Sequence, residues 1–268
     1  MAAFLGTSFL ALALIALALK ARNWANIIFR EQCTIKTELQ ELKFNNIKTL
    51  DSISRQLVNL NQETVNAASL NALNLNFPVF FGEWSIDTHQ CRILVNTILE
   101  KRPKCIVELG SGTSTIVIAK VLKLLGLTAT FHATIDHEEK YLNITREIAK
   151  LNELDSNIHF IHSPLAFNNK HNQLWYSDLI EKIGENKIDL LIIDGPPGPL
   201  QKNSRYPAIP ELRASLNADT TIILDDANRP DEKNIIDQWL KEFSGFEVEY
   251  RQEGHGTAIF RRTRNQDL

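Results

Sequence analysis

Acidic residues stand where apolar runs of this chain end, and they are its best candidates for chemistry. Asp194 opens Asp194-Gly-Pro-Pro-Gly198, directly after the run Ile188 to Ile193. One acid delivered into a loop of turn formers reads as a placed carboxylate, although it also suits an Asp that caps a turn. Asp225 and Asp226 follow the run Thr220 to Leu224. Two adjacent acids at one edge repel unless a cation or a proton is shared. Such carboxylates can accept a proton from a hydroxyl, or hold Mg²⁺ or Ca²⁺ through oxygen ligands. Asp136 ends a third run. Its two oxygens can accept from neighbouring hydroxyls, and it can equally cap a helix starting at Glu138.

Glu108-Leu-Gly-Ser-Gly112 supplies another kind of site. Cys105 to Leu109 predicts a buried strand, and Thr113 or Ser114 an N-cap, so Gly110 and Gly112 form the turn between strand and helix. Free N–H groups at such a helix start face whatever approaches the glycines. A dinucleotide fingerprint needs a third glycine where Thr115 stands. The motif instead resembles the first motif of class I S-adenosylmethionine (SAM)-dependent methyltransferases, over roughly residues 77–262.

That resemblance implies SAM as cofactor. Glu108, Gly110, Ser111, Gly112, Thr113 and Ser114 would form its methionine side, and Asp136 with His137 its ribose edge. Ser163 stands where many members carry an acid near the adenine amino group. At Asp194 and Asp225-Asp226 the resemblance narrows to the catechol O-methyltransferase-like branch. There an Asp and an Asp-Asn pair hold a divalent metal that binds substrate oxygens. Asp194, Asp225 and Asp226 would then ligate a cation such as Mg²⁺, with Asp226 in the place of Asn. Asp194 and Asp225 are the catalytic candidates, Asp194 as general base or metal ligand beside the cofactor. Arg205-Tyr-Pro-Ala208 either positions an acidic or sugar-like acceptor or starts a helix around Pro207. His255 reads as a turn residue before it reads as a base.

The elements that would position these residues alternate. Predicted strands lie at 105–109, 128–135, 157–162, 188–193 and 220–224. Predicted helices run over 91–99, from Thr113, and over 138–151, 175–183, 209–216 and 231–243. Strands at 247–251 and 257–261 have no helix between them and should pair as a hairpin. The fold class expected is α/β: a doubly wound, mostly parallel seven-stranded Rossmann-like sheet closed by an antiparallel hairpin.

Ahead of this domain, Met1 to Leu19 carries no charged side chain and is followed by Lys20, Arg22 and Arg30. Residues 1–22 therefore predict a transmembrane helix, with the catalytic domain cytoplasmic by the positive-inside tendency. A signal peptide for export is the alternative. From Thr7 to Phe77 there is neither Gly nor Pro. Ile28, Ile35 and Leu42 recur at sevens, as do Leu50 with Leu57 and Ile53 with Leu60. Residues 23–76 thus predict a helical stalk, either a coiled coil joining two copies or a helix packed on its own domain. Residues 263–268 form a tail.

A net charge of −3 gives no basic field for nucleic acid, and three scattered cysteines imply neither a zinc site nor a disulfide framework. The function expected is methylation, by way of SAM, of an oxygen on a small-molecule or glycan-like acceptor. The alternatives are a nucleotide-cofactor oxidoreductase, and a membrane-tethered coiled-coil scaffold that binds SAM without turnover.

Overall fold

A computed structural model describes residues 2–82 and 85–262, with side chains from Ala16 on except those of Arg55 and Asn59. The expected tail lies outside the described residues. The chain forms two units, residues 1–60 and 61–268.

Helix α1 runs from Ala2 to Asn71 without a break, as expected of a segment with no Gly or Pro beyond Thr7. The expected span and the expected stalk share this one helix, which ends at Asn71. Among the described residues no helix is long and apolar enough to cross a membrane. Most of the expected span, up to residue 15, has no described side chains.

The second unit carries α2 (Thr88–Lys101), β1 (Cys105–Leu109), α3 (Thr113–Leu124), β2 (Phe131–Asp136), α4 (Glu139–Leu151) and β3 (His159–His162). A small hairpin follows, β4 (Leu165–Asn168) with β5 (Gln173–Tyr176), and then α5 (Leu179–Ile183). The chain continues through β6 (Ile188–Ile193), α6 (Ala208–Leu212), β7 (Leu216–Leu224) and α7 (Pro230–Glu242). It closes with β8 (Phe246–Arg251) and β9 (Thr257–Arg262).

The seven-stranded sheet has the order β3-β2-β1-β6-β7-β9-β8, parallel through β7 and antiparallel at β9. The helix expected over 175–183 is a correction: only its last turns are helical. Trp175 and Tyr176 are β-favouring aromatics that pair with Ala166 and Leu165, and both are buried. Asn168 Oδ1 accepts from the backbone N–H groups of Lys170 and His171, which sets the turn between the strands.

All five residues of β1 are buried, as in a strand covered by helices on both faces. Val107 and Leu109 join one core layer and Ile106 the other. Because the order reverses at β1, its carboxyl end lies between those of β2 and β6. Leu109 registers with Ile135 on one side and Ile193 on the other, and Ile193 with Leu224. One sheet edge therefore collects the residues that follow each strand: Gly110, Asp136, Asp194 and Asp225.

Candidate active site

A cavity of about 660 Å³ opens over that edge. Gly110, Ser111, Gly112 and Thr113 line it, with Asp136, His137, Asp194, Asp225 and Asp226. Tyr176, Arg205 and His255 complete the polar wall, and Phe77, Phe80, Tyr141, Ile144 and Ile148 form an apolar one. Gly110 has φ +102° and a Cβ there would stand 3.3 Å from the Gly195 nitrogen, so the turn after β1 passes closely against the loop after β6 in a backbone conformation that favours glycine.

Asp136 is held between the turn after β1 and the entry to α4. Its Oδ1 accepts from the Glu138 N–H (3.0 Å), entering helix α4, and its Oδ2 accepts from Ser111 N–H (3.1 Å) and Oγ (2.6 Å). Burial pushes the pKa of this carboxyl up. Hydrogen bonds from His137, Ser111 and the backbone outweigh it and hold the group below the usual range, so it faces the cavity as a carboxylate. His137 Nδ1 lies 3.4 Å from Asp136 Oδ1.

Three predicted cofactor residues do not reach the cavity wall. Glu108 is fully buried, and its Oε2 accepts from Thr115 Oγ1 (2.6 Å). It ties β1 to the first turn of α3, and Thr115, the residue in the third-glycine position, is its partner. Ser114 is buried in that helix turn. Ser163 donates through Oγ to Ser177 O (2.6 Å) and through N–H to Asp136 O (2.8 Å), which closes the β3 turn without exposing it.

The acid cluster holds a residue whose part the sequence left open. Arg205 is 2% exposed and lies among the carboxylates. Its Nη2 donates to Asp194 Oδ1 (3.1 Å) and Asp226 Oδ2 (2.9 Å), and its Nη1 to the Asp225 carbonyl (3.0 Å). Nη1 also stands 3.7 Å from the buried Glu232, and Nε donates to the Pro196 carbonyl (3.4 Å). Arg229 Nη1 makes a second ion pair with Asp226 Oδ2 (2.8 Å). Asp225 accepts from the Asp226 N–H (2.6 Å), and the Gln90 amide, with its nitrogen turned to Asp225, donates to Oδ2 at 3.0 Å.

Burial pushes the Asp225 carboxyl well up, and the Asp194 and Asp226 carboxylates push it the same way. Asp194 is also raised, by burial and by Asp226, although Arg205 pulls against both. The sequence signal for Arg205 was charge itself: acids gathered at one edge need a cation, and this residue sits in the loop after β6.

Tyr176 went unnoticed. It lines the cavity, and its buried hydroxyl has no hydrogen-bond partner among the described residues. Burial, reinforced by the Asp136 carboxylate, raises its pKa well above the ordinary phenol value, so it stays a donor.

Residues 107–227 match the family model of a methyltransferase domain. No curated protein sequence matches the chain. Among solved structures, the chain resembles the methyltransferase PaMTH1 from Podospora anserina, determined with SAH bound. The identity there is 17% and the TM-score 0.52, over 67% of this chain and 80% of that one. It also resembles an O-methyltransferase from Bacillus cereus in complex with SAH, at 19% identity and TM-score 0.50, over 77% of this chain and 91% of that one. Both share its fold.

Proposed function

We propose that this chain is a SAM-dependent methyltransferase that transfers the methyl group to an acceptor oxygen. The observation that carries the reading is the cavity edge. A glycine turn at a helix start, an ionised Asp136 and a placed Asp194 meet there, inside the span that matches a methyltransferase domain. When bound, SAM supplies an activated methyl group. The residues present fit it: backbone N–H groups at Ser111 to Thr113 for the amino-acid end, Asp136 for the ribose hydroxyls, and the wall of Tyr141, Ile144 and Ile148 for a flat base. Tyr176 offers one more donor. Asp194, with its side chain about one third exposed, faces the cavity and takes the proton from the acceptor hydroxyl. The remaining work is alignment of acceptor and methyl group.

Asp136→Ala tests the cofactor site. Loss of hydrogen bonds to a carboxylate should weaken SAM binding about ten- to hundredfold while leaving the fold intact. Calorimetric titration that gives the variant the wild-type dissociation constant would remove Asp136 from the site. The acceptor in this reading is a small molecule or glycan-like, set beside the polar wall of Asp194, Arg205 and His255.

The N-terminal unit belongs to the same proposal, as a tether that keeps the catalytic domain on the cytoplasmic face. Its support is the uncharged run Met1 to Leu19 ahead of Lys20, Arg22 and Arg30. Pairing of two copies through α1 is supported by Ile28, Ile35, Leu42, Leu50 and Leu57, all at least half exposed in the single chain. The full chain should stay with membranes through carbonate extraction, with residues 1–19 still present by mass spectrometry. A soluble product beginning near Lys20 would mark a cleaved signal peptide.

A further inference from the structure

The carboxylates at the ends of β6 and β7 were expected to hold a divalent cation. Among the described residues, Asp225, Asp226 and His255 can bring one ligand atom each within 4.8 Å of one another. One oxygen of each carboxylate is already engaged. Asp194 Oδ1 and Asp226 Oδ2 accept from one nitrogen of Arg205, and Asp226 Oδ2 also faces Arg229. Asp225 Oδ1 accepts from the Asp226 backbone.

Arg205 is itself held by four hydrogen bonds. Its donors go to Asp194, Asp226 and the carbonyls of Asp225 and Pro196, and Glu232 stands beside it. A guanidinium is planar and permanently charged, and it can span several oxygens at once. A second cation at this point would have to displace it or sit against two guanidinium groups.

We propose that Arg205 takes the place of the divalent metal, so that the site works without one. The role rests on the methyltransferase reading, but the occupancy of the acid cluster does not. Held in this way within the cluster, Arg205 is a positioning residue. It fixes Asp194 at the cavity wall through Oδ1, and it balances the charge of Asp226, which stands where the metal-binding pattern has a neutral Asn. Without a metal to acidify the acceptor hydroxyl, proton removal falls to Asp194.

Mn²⁺ is the probe, read by the paramagnetic resonance signal of the free ion in the presence of the detergent-extracted full chain. Wild type is expected to leave that signal unchanged. Asp226→Asn, with Arg205 still in place, should do the same. Arg205→Ala should bind Mn²⁺ at least about tenfold more tightly than wild type. Stoichiometric Mn²⁺ binding by wild type, abolished by Asp194→Asn, would overturn the proposal. So would a gain of binding in Asp226→Asn, or a folded Arg205→Ala that binds no better than wild type. If Arg205→Ala does not fold, wild type and Asp226→Asn still decide. None of these readouts requires methyl transfer, so failure here is separable from failure of SAM binding.

Discussion

Arg205→Ala is expected to destabilise the second unit by about 3–5 kcal/mol, the usual cost of leaving buried carboxylates without their cation. Asp226 and Glu232 are both nearly inaccessible to water, and Asp194 lies beside them. The deletion would strand all three, together with the carbonyls of Asp225 and Pro196 that the guanidinium serves. Arg229 can compensate only in part, because it is itself about half exposed. Arg205→Lys should fall between the two, since one ammonium keeps the charge but cannot reach the same oxygens. Urea unfolding of the full chain, followed by tyrosine and tryptophan fluorescence, measures both. A loss below about 1 kcal/mol for the alanine variant, as at an exposed pair, would show that the cluster does not depend on Arg205.

Asp194→Asn is expected to lower turnover by about 10²- to 10⁴-fold, the range of a general base, with SAM affinity nearly unchanged. The substitution keeps the size of the side chain but removes its ability to take a proton, together with the charge that pairs with Arg205. Burial and the Asp226 carboxylate raise the Asp194 pKa. Wild-type turnover should therefore rise with pH through a midpoint above the ordinary aspartate value of about 3.9, and the variant should lack that limb. A variant that keeps wild-type turnover would assign the proton transfer elsewhere. The stability signs at this edge are opposite. The raised Asp225 pKa favours the folded state at low pH, and that contribution is lost as pH rises through the folded value. The lowered Asp136 pKa favours it above about pH 4, and that is lost on acidification.

Four strands of the sheet were legible because they end in glycine or acid, and helices separate all but the last pair. The positions of Gly110, Asp136, Asp194 and Asp225 follow from that alone, since parallel strands in register bring their ends together. Glu108 was misread for want of parity. It lies on the same face of β1 as Ile106, away from Val107 and Leu109, and that face meets Thr115 rather than a ligand. Ser163 looked exposed because it ends a strand, but its hydroxyl closes a turn.

The β4–β5 hairpin was hidden because its short second strand runs almost directly into the helical turn Leu179–Ile183. Arg205 was the deepest loss. Its pairing with Asp194 and Asp226 spans 11 and 21 positions, and no periodicity relates residues that meet only after the sheet has formed.

Transfer of labelled methyl groups tests the central claim most directly. The full chain, incubated with methyl-labelled SAM and fractionated cell extract, should place label on an oxygen of an acceptor and release S-adenosylhomocysteine in equal amount. Label and product should both fall away with Asp194→Asn. SAM that is bound and recovered intact from every fraction would contradict catalysis and leave a binding module. No binding of SAM at all would contradict the reading of the cavity itself.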